Sequence, residues 1–287
     1  MRWSEPHARA AAVLIGLLSL AGATPVVRYG TPVLLGTLSD QRIVESSGLA
    51  AARRNPGLLW THNDSGDGPV IYAIGPDGQT QGLIRVLDAE AIDWEDMAGF
   101  HLDGRDYLLI ADVGDNHRRR KHCTLYLVPE PLATDTQATP AAIVRFTYED
   151  GPRDCEAVAV DGTDGKIYLV EKKIAGEAGV YELELPREAG ALLTARRIAT
   201  VAIGAVTAMD ISHDGRRAVL GTYGPAYEFY RGHDEDWPRA FGRAPRRLPM
   251  PPRRQGESIC YSADGSAIYL TSEQSPSPLW KVPVIGP

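Results

Sequence analysis

Ser47, Glu95, Glu156, Thr207 and Glu257 each stand first in a short segment of similar spelling: SGLA, EDMA, EAVA, TAMD and ESIC. Brought together, they would form a ring of three carboxylates and two hydroxyls. Three carboxylates in a confined site repel one another and hold protons more tightly unless a cation is present. A hard cation answers that repulsion. Calcium accepts about six to eight oxygen ligands in tolerant geometry, whereas magnesium prefers a tight octahedron, so the expected metal is Ca2+. The competing reading is that the glutamates cap strand ends around a water-filled channel.

The elements that must position such a ring follow from the spacing. The five residues lie 48, 61, 51 and 50 positions apart, the period of a four-stranded propeller blade. An Asp-Gly pair follows the inner strand in four units, at Asp103-Gly104, Asp164-Gly165, Asp214-Gly215 and Asp264-Gly265; the first unit has Asn55-Pro56-Gly57. Asp-Gly between apolar runs is a hairpin signal, and in its tightest form both residues take positive φ. A second strand follows each turn, as in LLWTHND, YLLIADVGD and KIYLVEKK. A third carries Tyr72, Tyr126, Tyr181, Phe229 or Trp280, which read as packing between blades. The expected fold is all-β, a five-bladed β-propeller rather than a six-bladed one. Its last blade lacks an outer strand, which PVLLGTL at Pro32 to Leu38 would supply from the N-terminal side.

The first 23 residues read as a signal peptide: Arg2 and Arg9, an apolar run from Ala10 to Leu20, and small residues at Ala21 to Ala23. The run is too short for a comfortable membrane span. The expectation is an exported chain, periplasmic or extracellular, with residues 24–287 forming a single propeller domain and no stable membrane insertion after cleavage. PEPLATDTQATP, from Pro129 to Pro140, reads as a surface connection rather than a domain boundary. A formal net charge of −7 gives no global attraction for nucleic acid. Cys123, Cys155 and Cys260 lack the spacing of a zinc site. Cys123 and Cys155 could pair or remain buried thiols.

Because strands in a blade alternate direction, the start of the inner strand and the loop between second and third strands share one face. Polar residues gather there. Asp64, Asp112 and Asp115 are the candidate catalytic carboxylates, able to orient water or bind a second cation, and equally able to close turns with Asp67. His62, Asn63, Asn116, Arg118, Arg119, Lys172, Arg253 and Arg254 are the candidate substrate contacts, joined by Arg120, Lys121 and Lys173 in the same loops. Cations around an acidic metal centre suit a small anionic or phosphorylated ligand. His117 and His122 are further acid-base candidates, and Ser65 reads as a turn residue; no GxSxG elbow supports a serine hydrolase.

The order Ser, Glu, Glu, Thr, Glu on successive inner strands resembles that of the calcium-activated nucleotidases, or soluble apyrases, with Thr207 where that family has Ser. The resemblance implies a central calcium held by Ser47, Glu95, Glu156, Thr207 and Glu257. Over residues 45–131, ESSGLA, LWTHNDSGD, DWEDMA, ADVGDN and YLVPEP also resemble secreted bacterial propellers grouped with phytase-like and esterase-like proteins. Such likeness bears on fold more than on reaction. The expected activity is hydrolysis of a phosphoester or phosphoanhydride, with calcium polarising phosphate, basic loops stabilising charge and a loop carboxylate orienting water. The alternatives are a non-enzymatic binding or scaffold propeller with a structural metal, and a lactonase or esterase propeller.

Overall fold

A computed structural model describes residues 27–64, 66–185, 190, 192–273 and 275–286. The expected leader and Ser65 lie outside them. The described chain is an all-β, propeller-like array of antiparallel meanders. Its inner strands are Ser46–Ala51, Trp94–Leu102, Cys155–Asp161, Val206–Ile211 and Ser258–Tyr261. Each packs against the next, and the last returns to the first, so they enclose an axis. Among the described residues, no helix is long and apolar enough to cross a membrane.

The outer strands decide how these meanders join. Ala142–Tyr148 pairs in parallel with Leu192–Val201, from Arg145 opposite Leu192 to Tyr148 opposite Ala195. Two neighbouring meanders therefore merge into an eight-stranded sheet. The missing outer strand of the final meander does come from the N-terminal side: Val33–Thr37 pairs with Pro278–Gly286, with Leu34 opposite Trp280 and Thr37 opposite Pro278. Arg28–Tyr29 pairs with the far end of the same strand. Sequence-distant segments thus complete one sheet and cover what would be an open edge.

The turns depart from expectation. Only at Asp103-Gly104 do both residues take positive φ, in a two-residue hairpin between paired strands. At Gly165, Gly215 and Gly265 the glycine alone does so. The amides of Gly215 and Gly265 bond to Ser212 and Ser262 carbonyls three residues back, the pattern of a longer loop closed by a left-handed glycine. The Pro129 to Pro140 connection is also more than a surface link. Its Glu130 is buried and accepts from the backbone amides of Arg53 and Arg54 and from the Trp60 indole N–H at 3.1 Å. Gln137–Ala138 then adds a parallel strand beside Thr80–Val86.

The third-strand aromatics do pack the core: Tyr72, Tyr126, Tyr181 and Phe229 are buried, and Trp280 is partly so. A short helix, Trp237–Phe241, was not legible as such. Asp236 caps it by accepting from the Arg239 amide, Pro238 sits in its first turn, and its Trp237 and Phe241 fill the space beside Tyr168. Cys123, Cys155 and Cys260 are buried free thiols.

Each inner strand is an edge of its own sheet, yet it is largely buried, so backbone groups facing the axis need partners other than a ladder. Asp96 supplies three. One carboxylate oxygen accepts from Val158 N at 2.9 Å and Met209 N at 3.0 Å, on two other inner strands, and the other accepts from Met97 N at 2.8 Å. Asp210 repeats the device toward Tyr261 N at 2.8 Å and Ile211 N at 2.8 Å. Asp96→Ala leaves three buried amides without an acceptor, at about 1–3 kcal/mol for each. Denaturant unfolding should therefore show a loss of at least about 3 kcal/mol, with Asp96→Asn intermediate. A change under about 1 kcal/mol would show that the tie is dispensable.

Candidate acidic mouth of the axial channel

In four of the five units the repeated spelling falls on a β-bulge. Trp94 pairs with Asp112 and Asp96 with Ala111, so Glu95 is the extra residue between them. Cys155 pairs with Glu171 and Ala157 with Val170, leaving Glu156 over. Val206 and Ala208 skip Thr207 in the same way, and Ser46 and Leu49 skip Ser47 and Gly48. Glu257 directly precedes its strand, which begins in regular register at Ser258 opposite Thr271. A bulge releases a residue from the pleat and re-aims its side chain. All five residues are buried at the same end of the inner strands.

The two hydroxyls join neighbouring strands. Ser47 Oγ donates to the Glu95 carbonyl at 2.6 Å, and Thr207 Oγ1 to the Gly256 carbonyl at 2.8 Å. Each gives up its proton and retains lone pairs. The carboxylates fall into two groups. Asp64, Asp93 and Glu95 bring ligand oxygens within 4.8 Å of one another. Glu156 is ion-paired with Lys172 Nζ, which also lies 5.2 Å from the centre of the Tyr223 ring.

Burial first, and then neighbouring acids, raise the proton affinity throughout this mouth. Glu95 is held well above the ordinary carboxylate range by burial and by Glu156, Asp64 and Asp93. Burial and Asp64 lift Asp93 to about 6. Glu156 rises to about 7 through burial, although Lys172 opposes the shift. Burial, Glu156 and Glu273 raise Glu257 to about 8. Gly114 forms one wall: a Cβ there would come within 2.2 Å of Glu95 Oε1 and 2.5 Å of Asp93 Oδ2. Asp112 stands behind Asp93, accepting its amide at 3.2 Å and the Arg120 guanidinium at 2.6 Å; its second oxygen is buried and, among the described residues, has no hydrogen-bond partner.

The remaining sequence candidates divide by their hydrogen bonds. Asp115 accepts from the amides of Arg119 and Arg120 and so closes its own loop. Asn63 is buried and fully used, accepting from Val44 N and Glu45 N while donating to the Arg42 carbonyl and Asp67. His62 belongs to the core: it meets Trp94 edge-on at 5.4 Å, donates through Nδ1 to the Asn63 carbonyl, and is pushed down to about 4 by burial. A Cβ at Gly48 would lie 2.4 Å from its Nε2, so glycine is needed for that approach. Arg253 is partly buried and donates to the carbonyls of Thr271 and Gly224. Asn116, Arg118, Arg119 and Arg254 are exposed, as are His117, Lys121 and His122. Asp93, Gly114, Tyr223 and Glu273 join the mouth without having been singled out. Asp93 lies two residues before the Glu95 bulge, and that offset was its available signal.

No family model matches the chain, and no curated protein matches it. Among solved structures, a chain of the crystal structure of the mitotic checkpoint complex is similar at 12% identity and a TM-score of 0.42. The match covers 82% of this chain and 61% of that one, so it spans about three-fifths of the matched structure.

The raised acids set a sign for the pH dependence of stability. Ordinary carboxylates titrate near 4, so between about pH 6.5 and 8.5 the folded chain binds protons at Glu156 and Glu257 that the unfolded chain has lost. Asp210, raised to about 7 mainly by burial, adds to the same trend. Stability should therefore fall as pH rises through that window. His62, with its lowered affinity, acts oppositely at more acid pH and is neutral here. Melting temperatures in chelator should decline from pH 6.5 to 8.5, and Glu257→Gln should flatten the upper part. A flat profile in the parent protein contradicts this electrostatic description.

Proposed function

We propose that this chain is an exported, five-bladed β-propeller that binds calcium at the acidic mouth and, through the ion, a small anionic or phosphorylated ligand. The carrying observation is the approach of Asp64, Asp93 and Glu95 ligand oxygens to within 4.8 Å of one another, beside Gly114. The donor set suits the ion: it is all hard oxygen and carries no thiolate or imidazole. Asp64, Asp93 and Glu95 would hold calcium, with the lone pairs of Ser47 and Thr207 and the carboxylates of Glu156 and Glu257 also at this end of the channel. The bound ion would supply a positive centre for an oxyanion. The five-blade reading rests on the closed cycle of inner strands, with the eight-stranded sheet counted as two blades sharing an outer seam.

A non-enzymatic binding propeller with a structural metal is the second reading. It is favoured by the way three of the expected phosphate-binding cations are already engaged: Lys172 with Glu156, Arg120 with Asp112, and Arg253 with backbone carbonyls. Hydrolysis of a phosphoester or phosphoanhydride would draw its cations from one of these pairs opening toward substrate or from the exposed Arg118, Arg119 and Lys121.

Millimolar calcium at pH 7.5 should raise the melting temperature of chelator-treated protein, because an ion that binds only the folded state adds stability by mass action. Glu95→Gln should weaken calcium binding at least tenfold by titration calorimetry. Unchanged melting together with no calcium by elemental analysis would sink the metal reading. Nucleotides and inositol phosphates tested with calcium and then chelator separate the two functions: chelator-sensitive turnover supports the hydrolase, and binding without turnover supports the scaffold.

A further inference from the structure

The opposite end of the same inner strands holds a second, chemically different cavity. It has a volume of about 380 Å3 and lies where the strands run out, between Arg53, Gly99 to His101, Val160, Gly162, Thr163 and Ile211 to His213. Its ionisable lining is Arg53, His101 and His213, with no carboxylate among the lining residues. Phe100, Val160 and Ile211 supply apolar walls. The inner strands therefore have acids at their starting end and Arg53, His101 and His213 at the other.

Arg53 is positioned by its backbone and left unspent by its side chain. The Glu130 carboxylate clamps the Arg53 amide at 3.0 and 3.1 Å and is otherwise occupied by the Arg54 amide, Asn55 Nδ2 and Trp60 Nε1. Among the described residues, the Arg53 guanidinium makes no hydrogen bond or ion pair, and its Nε is buried without a partner. Nearby acids are already committed. Asp106 pairs with His101, Asp161 accepts from Thr163, Trp237 and Arg231, and Asp214 accepts from Ser212 Oγ and the Arg216 amide. Asp210 senses the Arg53 charge, but its oxygens take the Tyr261 and Ile211 amides and form no ion pair with it. A buried guanidinium nitrogen without an acceptor is costly, and an oxyanion is the group its planar fork fits best.

We propose that this basic axial cavity is a binding site for a small organic oxyanion. The acid head would lie on Arg53, flanked by His101 and His213, and an apolar body would lie against Phe100, Val160 and Ile211. This site is distinct from the calcium mouth and does not depend on it.

The probes are benzoate and inorganic phosphate, added at pH 6.0 in chelator while the ring resonances of His101 and His213 are followed by NMR. Benzoate should shift both and saturate. Arg53→Gln should weaken it at least tenfold with little change in melting temperature, because the guanidinium holds no bond in the fold. Arg53→Lys, which keeps charge but loses the fork, should also weaken it and guards against a folding defect in the first variant. Phosphate shifting the same resonances supports recognition of the head alone; benzoate binding without phosphate supports head and wall together. No shift with either probe, or unchanged benzoate affinity in both Arg53 variants, overturns the proposal.

Discussion

The structure depends on satisfying the buried edges of its inner strands. Each such strand has a neighbour in its sheet on one side and only the axis on the other, where unpaired amides and carbonyls would be costly. Polar side chains meet that need. Asp96 ties its own strand to two others, Asp210 ties the fourth to the fifth, and Ser47 and Thr207 donate to carbonyls on, or just before, the inner strand that follows theirs. Polar side chains on the axial side of the inner strands are therefore a consequence of closing the ring.

That origin also explains why the two ends differ. At the start of the inner strands, bulges release Glu95, Glu156 and Thr207 from the pleat, and the long loops add Asp64 and Asp93. Repulsion among these acids is only partly offset by Lys172. At the other end the strands finish in turns whose acids are already engaged, Asp214 by local hydrogen bonds and Asp161 by Thr163, Trp237 and Arg231. Arg53 enters there because the first meander lacks an Asp-Gly turn and its backbone is instead held by Glu130 from the neighbouring meander. An irregularity in the repeat is thus where a distinctive side chain appears.

Much of the architecture was legible because repetition averages over local ambiguity. Strand positions, third-strand aromatics and the N-terminal strand beside Pro278–Gly286 all followed from apolar runs at a regular period. The helix at Trp237–Phe241 and the parallel strand Gln137–Ala138 did not, since both lie where the repeat is interrupted. The candidate site was legible at its repeating positions and much less so in its loops. His62, Asn63 and Asp115 carry polar groups suited to chemistry, but backbone groups nearby engage Asn63, Asp115 and one nitrogen of His62, whose ring packs against Trp94. Asp93 and Gly114 are unremarkable in sequence and acquire their place through the approach of two loops.

The sequence alone determined the period, the strand pattern and the oxygen-bearing residue at the head of each inner strand, because these are local features that recur with each unit of the repeat. Only the tertiary structure decided which oxygens meet. Proximity between Asp64, Asp93 and Glu95, the pairing of Glu156 with Lys172 and the unspent guanidinium of Arg53 arise from contacts between segments far apart in the chain. Such contacts depend on how bulges, loops and neighbouring meanders pack in three dimensions, and no one-dimensional spacing encodes that distance.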